Sequence, residues 1–189
     1  MIKFIEDKAL IEYVSDYDVI LVGTNCYQSM RNGFQLEIAK KFPYVKSMNN
    51  ATKYGDIDKL GTILECKNDN NPLITLLFIS FGYNFKGNDS EYVDYEALSK
   101  CLQLINLLYK GKRVATTLLG STFFDGNGVK DKIIDCFNKK VNKVDIDIYT
   151  YPQKSYEEMK KEEYFSRKNK KVEKIFGINE NNYYLCNRK

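Results

Sequence analysis

The run Val19-Ile20-Leu21-Val22-Gly23 constrains the fold more than any other stretch of the chain. Four aliphatic residues in succession, with no polar alternation, suit a strand covered on both faces, since a strand with one wet face alternates apolar and polar side chains. Such a strand needs packed elements above and below it. The flanking sequence offers helices for that purpose. Gly33–Phe42 carries Phe34, Ile38, Ala39 and Phe42 at helical spacing, and Pro43 closes it. Asp94–Tyr109 presents the stripe Ala97, Cys101, Ile105 and Leu108 ahead of Gly111, and Val129–Lys140 repeats the pattern with Val129, Ile133, Cys136 and Phe137.

Further strands are expected at Ile2–Ile5, Thr62–Cys66, Leu73–Ser80, Val114–Leu119 and Val144–Thr150. The polar stretch Lys67–Pro72 reads as a hairpin turn and makes its two flanking strands antiparallel neighbours. The other strands alternate with helices, which predicts a three-layer α/β/α sandwich around a mixed sheet. From Ser155 the composition shifts to Glu, Lys and Tyr. Ser155–Ile175 reads as an amphipathic helix opened by the capping-box pair Ser155 and Glu158. The expected organisation is one core domain over 1–151 and a helical extension over 152–189, since 189 residues suit a single domain.

Composition removes several function classes. The chain has no histidine, so Ser-His-Asp and Cys-His mechanisms are excluded and chemistry falls to carboxylates, Lys, Tyr, Cys, backbone amides or water. Its five cysteines, Cys26, Cys66, Cys101, Cys136 and Cys186, are scattered without a Cys-x-x-Cys pair; they read as reduced thiols and imply no metal site or disulfide framework. No cofactor is implied. No apolar run reaches the roughly 20 residues of a membrane span, and the N-terminus lacks a signal-peptide pattern, so a cytoplasmic location without membrane partners is expected. The richness in Lys, Asn, Ile and Tyr suggests an AT-rich coding sequence, as in a phage or an AT-rich bacterium; for a phage the expected compartment is the host cytoplasm. The net charge of +4 does not by itself imply nucleic acid. The basic run Arg167–Lys171 is diluted by Glu162, Glu163 and Glu173 and reads as a solvated face; an RNA- or protein-interaction role for it is the weakest functional reading.

The loop Gly23–Phe34 joins the buried strand to a helix, the place where free helix amides meet anions in sheets of this type. Gly33 would allow a phosphate to approach the backbone, Arg31 would add a charge-assisted contact, and Asn25 would hydrogen-bond a ribose hydroxyl. The alternative is an ordinary connecting loop in which Asn32 and Gly33 only shape a turn. A second loop, Gly120-Ser121-Thr122-Phe123-Phe124-Asp125-Gly126-Asn127-Gly128, follows the strand Val114–Leu119. Its phenylalanines suit either a sugar or base contact or the core. Tyr83, Asn84 and Lys86 either border the same cleft or belong to a plain surface loop.

The residues Asn25, Cys26, Gln28, Met30, Gly33 and Lys40-Lys41-Phe42-Pro43 resemble the phosphate-binding loop and following helix of phage, yeast and bacterial macrodomains. The similarity continues through Gly55-Asp56, Lys59-Leu60-Gly61-Thr62, Val93–Leu98 and Tyr109–Arg113, and extends to about Tyr151. Ordered blocks of this kind are more specific than any single motif. The resemblance implies a six- or seven-stranded macrodomain fold with ADP-ribose or an NAD-derived nucleotide at the strand ends. Arg31, Asn32, Gly33 and Phe34 would face the pyrophosphate, Asn25 the distal ribose, and Gly120, Ser121, Thr122, Phe123 and Phe124 would form the second wall. Thr24 and Met30 fall in the same ligand-binding set, and Asp7 stands approximately at the adenine position. Asp125 lies where some family glycohydrolases place a catalytic aspartate, and with Asn25 it forms the candidate catalytic pair; its alternative is a helix cap. The partnering lysine of those enzymes has no counterpart near Ser80-Phe81, and Arg31-Asn32 replaces the usual small residues of the first loop. The implied activity is ADP-ribose binding, with hydrolysis as an ADP-ribose-1″-phosphate phosphatase or ADP-ribosyl hydrolase. The alternative is a non-catalytic binder that sequesters an NAD-derived signal, as in a phage protein acting against host defence.

Overall fold

A computed structural model of the chain describes residues 1–6, 8–31, 33–82, 93–119 and 129–150. The expected helix at Ser155–Ile175, the basic run Arg167–Lys171 and Cys186 lie outside the described residues.

The elements follow as β1 (Ile2–Glu6), α1 (Leu10–Tyr13), β2 (Val19–Asn25), α2 (Gly33–Lys41), α3 (Pro43–Asn50), β3 (Ile63–Cys66), β4 (Leu73–Ser80), α4 (Tyr95–Leu108), β5 (Arg113–Thr117), α5 (Val129–Lys140) and β6 (Asp145–Thr150). The six strands form one sheet in the order β1-β6-β5-β2-β4-β3. All neighbours are parallel except β3 and β4, the hairpin around Lys67–Pro72, so the sheet is mixed as expected.

β2 is central and buried on both faces. Val19 and Leu21 enter one core with Leu98, Cys101, Leu102 and Ile105 of α4 and Ile133 and Phe137 of α5. Ile20 and Val22 enter the opposite core with Leu10, Ile38, Ala39, Phe42 and Val45 of the α1–α3 region. The uninterrupted aliphatic run is thus explained: each successive side chain meets a different helical layer, and each fully buried one contributes about 1.5–3 kcal/mol.

Two local expectations change. Pro43 ends α2 and also opens α3, where it occupies the first turn, because proline lacks an N–H that this turn would leave unpaired. In α4 the buried stripe is Ala97, Leu98, Cys101, Leu102 and Ile105, whereas Leu108 is 56% exposed. Tyr109 closes the stripe instead. Its hydroxyl lies 2.8 Å from Thr75 Oγ1 and donates to Glu65 Oε1 at 2.8 Å, which ties the helix end to β4 and β3. Cys66 and Cys101 are buried core thiols, pushed up to about 11 and about 12 by desolvation. No helix among the described residues is long and apolar enough to cross a membrane.

Candidate functional site

The connections around β2 create a switch in the sheet. From β2 the chain runs through α2 and α3 on one face and reaches β4 on one side; from β5 it runs through α5 on the other face and reaches β6 on the opposite side. Loops leaving adjacent strands in opposite directions open a crevice at the strand ends, the usual ligand position in such sheets. The loop after β2 leaves its strand at this position. The loop after β5 begins at Leu118, and the predicted residues Gly120, Ser121, Thr122, Phe123, Phe124 and Asp125 lie outside the described residues, as do Asp7, Asn32, Tyr83, Asn84 and Lys86.

The first loop is held from within. The register of β2 against β4 slips between Thr24 and Asn25, so Asn25 pairs with Ser80 instead of continuing the ladder. Asn25 is only 3% exposed. Its Oδ1 accepts from Tyr27 N at 2.9 Å and Ser29 N at 3.4 Å, and its Nδ2 donates to Ser29 O at 3.1 Å. A carboxamide bonded to its own following backbone builds an Asx turn. Cys26 N donates to Ser80 O and Gly55 N donates to Cys26 O, so the strand exit is stitched to two neighbouring segments. Gln28 adopts the left-handed φ of 59°, and its Nε2 donates to the carbonyls of Asn50, the last residue of α3, and of Thr52 just beyond it. The Gln28 amide thus satisfies orphan carbonyls of a helix end and offsets the cost of its own backbone.

Met30, 3% exposed, belongs to the α1–α3 core, against which Phe34 packs, and Thr24, 2% exposed, precedes the loop on β2 with a hydroxyl that has no partner among the described residues. Arg31 is exposed and forms no ion pair among the described residues. Gly33 opens α2 with φ 50°, and among the described residues a Cβ there would meet no tertiary neighbour within 4 Å. This position combines a backbone conformation that favours glycine with open space in front of a helix N-terminus whose first amides lack intrahelical acceptors. The structure therefore places Thr24, Asn25, Met30, Arg31, Gly33 and Phe34 along one strand-to-helix connection, with Met30 buried in the core below α2.

On the β4 side stands a group that the sequence did not single out. The Tyr27 ring lies 5.2 Å from both Tyr54 and Phe81, at interplanar angles of 86° and 70°. Gly55 and Gly82 make room for it: a Cβ on Gly82 would stand 2.9 Å from Tyr27 Cε2, and one on Gly55 3.3 Å from Cε1. The only hint in sequence is that Tyr54 and Phe81 each precede a glycine. Nearby, Lys59 donates to Thr52 Oγ1 at 3.0 Å and sits 5.1 Å over the buried Phe78 ring. Desolvation lowers the pKa of its ammonium, opposed by Cys26 and Asp56. The Cys26 thiol is raised by burial, and Asp56 is lowered chiefly by the Asp58 amide. Among the described residues no group of three or more His, Cys, Asp or Glu side chains is arranged to hold a metal ion.

No protein-family model matches the sequence, and a comparison with curated proteins finds no match. Solved structures do match. A protein of unknown function from Bacteroides thetaiotaomicron superimposes with a TM-score of 0.63 at 15% identity, over 79% of this chain and 98% of its own. A macrodomain protein from Streptomyces coelicolor gives 0.58 at 13% identity over 79% and 98%. The macrodomain of Mycobacterium tuberculosis DarG gives 0.54 at 18% identity over 79% and 97%. With its mixed six-stranded sheet between two helical layers, the chain has the macrodomain fold.

Proposed function

We propose that the chain binds ADP-ribose or an ADP-ribose derivative in the crevice at the end of β2. The observation that carries this reading is Gly33: left-handed backbone, open space, and a helix N-terminus at the switch point of a macrodomain sheet. In this arrangement the α2 amides and Arg31 hold the pyrophosphate, and the remaining amide hydrogen of Asn25 meets the distal ribose. Gly120–Phe124 form the opposite wall. The loop resemblance in Asn25, Cys26, Gln28, Met30 and Gly33 supports the same ligand. Isothermal titration calorimetry with ADP-ribose, with AMP and NAD as comparators, tests it. Binding of ADP-ribose is expected, and absence of heat with ADP-ribose at millimolar concentration would sink the assignment.

A catalytic version adds Asp125, which with Asn25 orients a water at the distal ribose for hydrolysis of a phosphate or acyl substituent. A binder that retains its ligand intact is favoured by a specific observation: three hydrogen bonds within the loop already occupy the Asn25 carboxamide, and Thr52 already accepts from the nearest half-buried ammonium, Lys59. Chromatography of the ligand recovered after incubation separates the two versions. Intact ligand identifies sequestration, and a cleaved product identifies a hydrolase.

A further inference from the structure

The proposed nucleotide reading leaves the rings of Tyr27, Tyr54 and Phe81 without a role. Tyr54 is 68% exposed and Phe81 40% exposed, although large aromatic side chains normally bury most of their surface. These rings are not scattered singly. Both pack edge-to-face on Tyr27, whose own backbone N–H donates to Asn25 Oδ1 at 2.9 Å. Tyr27 is further seated between Gly55 and Gly82, where a Cβ on either residue would crowd its ring. A half-buried, clamped ring therefore presents two exposed rings beside the residue assigned to the distal ribose.

We propose that Tyr27, Tyr54 and Phe81 form a subsite for a planar pyridinium-type ring carried on the anomeric carbon of the distal ribose. The proposal rests on the nucleotide reading above, which sets that ribose at Asn25. Tyr27 follows Asn25 by two residues, and Phe81 follows its sheet partner Ser80 by one, so the rings stand on the β4 side of Asn25, and the subsite takes a substituent that leaves the ribose in that direction. Two exposed electron-rich rings held on a clamped third suit a flat ring, and a cationic one in particular. The ligand class is then a dinucleotide that still carries its nicotinamide-type ring, rather than ADP-ribose alone.

The test compares NAD with ADP-ribose by calorimetry on the wild-type chain and on the double variant Tyr54→Ala/Phe81→Ala, whose replaced rings are exposed. Stacking and cation–π contact together are expected to make NAD bind roughly tenfold more tightly than ADP-ribose in the wild type. The double variant should lose that advantage and keep its affinity for ADP-ribose. Equal affinity for the two ligands in the wild type, or an NAD advantage that survives the double variant, overturns the ring subsite while leaving ADP-ribose binding intact. Binding of neither ligand overturns the nucleotide reading itself, and the subsite with it. A parallel thermal scan distinguishes these outcomes from misfolding, and Tyr54→Phe, which keeps the ring, should retain the NAD preference.

Discussion

Replacing Gly33 with alanine separates the loop's role in folding from its role in binding. The backbone there has φ 50°, which costs an L-residue with a Cβ about 1–2 kcal/mol. No further folding cost is expected, because among the described residues the added methyl meets no tertiary neighbour within 4 Å. For a domain of this size the melting temperature should fall by about 2–8 °C. Binding should suffer more. A phosphate that approaches the α2 amides must retreat from the methyl and lose at least one charge-assisted hydrogen bond, about 1.5–3 kcal/mol, or roughly a 10- to 150-fold weaker affinity. Thermal unfolding and calorimetry with ADP-ribose at one fixed salt concentration measure both effects. An affinity within twofold of wild type, in a variant that melts only a few degrees lower, would refute close approach of the ligand to this backbone. Gly33→Asn sharpens the result, since asparagine tolerates the left-handed region and should restore stability without restoring affinity.

Three further outcomes are expected. Asn25→Ala removes the side chain that bonds Tyr27 and Ser29, so it should cost about 1–3 kcal/mol in denaturant unfolding and weaken ADP-ribose binding with it; wild-type stability would mean that Gln28 alone holds the loop. Tyr109→Phe leaves the buried Thr75 hydroxyl without its partner and should cost about 1–3 kcal/mol. Its cost should also depend on pH: the Tyr109 hydrogen bond, followed by Lys67, holds the Glu65 carboxyl below its usual range, so this contribution is complete above the unfolded glutamate pKa and is lost as pH falls through the folded one. The stability gap between wild type and Tyr109→Phe should therefore narrow on the acid side of about pH 4, and a gap that widens there would contradict the ionised Glu65–Tyr109 bond. If recovered ligand shows turnover, Asp125→Ala should abolish it and leave binding near wild type; persisting turnover removes Asp125 from the mechanism.

Much of the architecture was legible because it follows from local period. The unbroken run at Val19–Val22 demanded a doubly covered strand, and the helical spacing of Ala97, Cys101 and Ile105 marked a buried face. The polar turn at Lys67–Pro72 likewise implied the antiparallel β3–β4 pair. Pro43 does end α2, but α3 behind it was not expected, because proline breaks a helix and opens one equally well. Leu108 misled because an apolar side chain at the end of a helix is buried only if the layer beneath extends that far; here Tyr109 reaches Thr75 and Glu65 instead.

The site divides in the same way. Its first loop was singled out in sequence by its place between a buried strand and a helix and by Gly33 at the helix start, whereas the Asx turn of Asn25 and the left-handed Gln28 emerge only in the structure. The anchoring of Gln28 to Asn50 and Thr52, and the meeting of Tyr27 with Tyr54 and Phe81, were not readable. Those contacts depend on β4 lying beside β2 and on the turn after α3 returning to the same strand end, which long-range pairing and layer packing decide. Sequence by itself determined most of the strands and the longer helices and marked one strand-to-helix loop for inspection, because those features arise from neighbouring residues. Tertiary structure alone decided which distant rings and carbonyls surround that loop, because contact across tens of residues is a property of strand order.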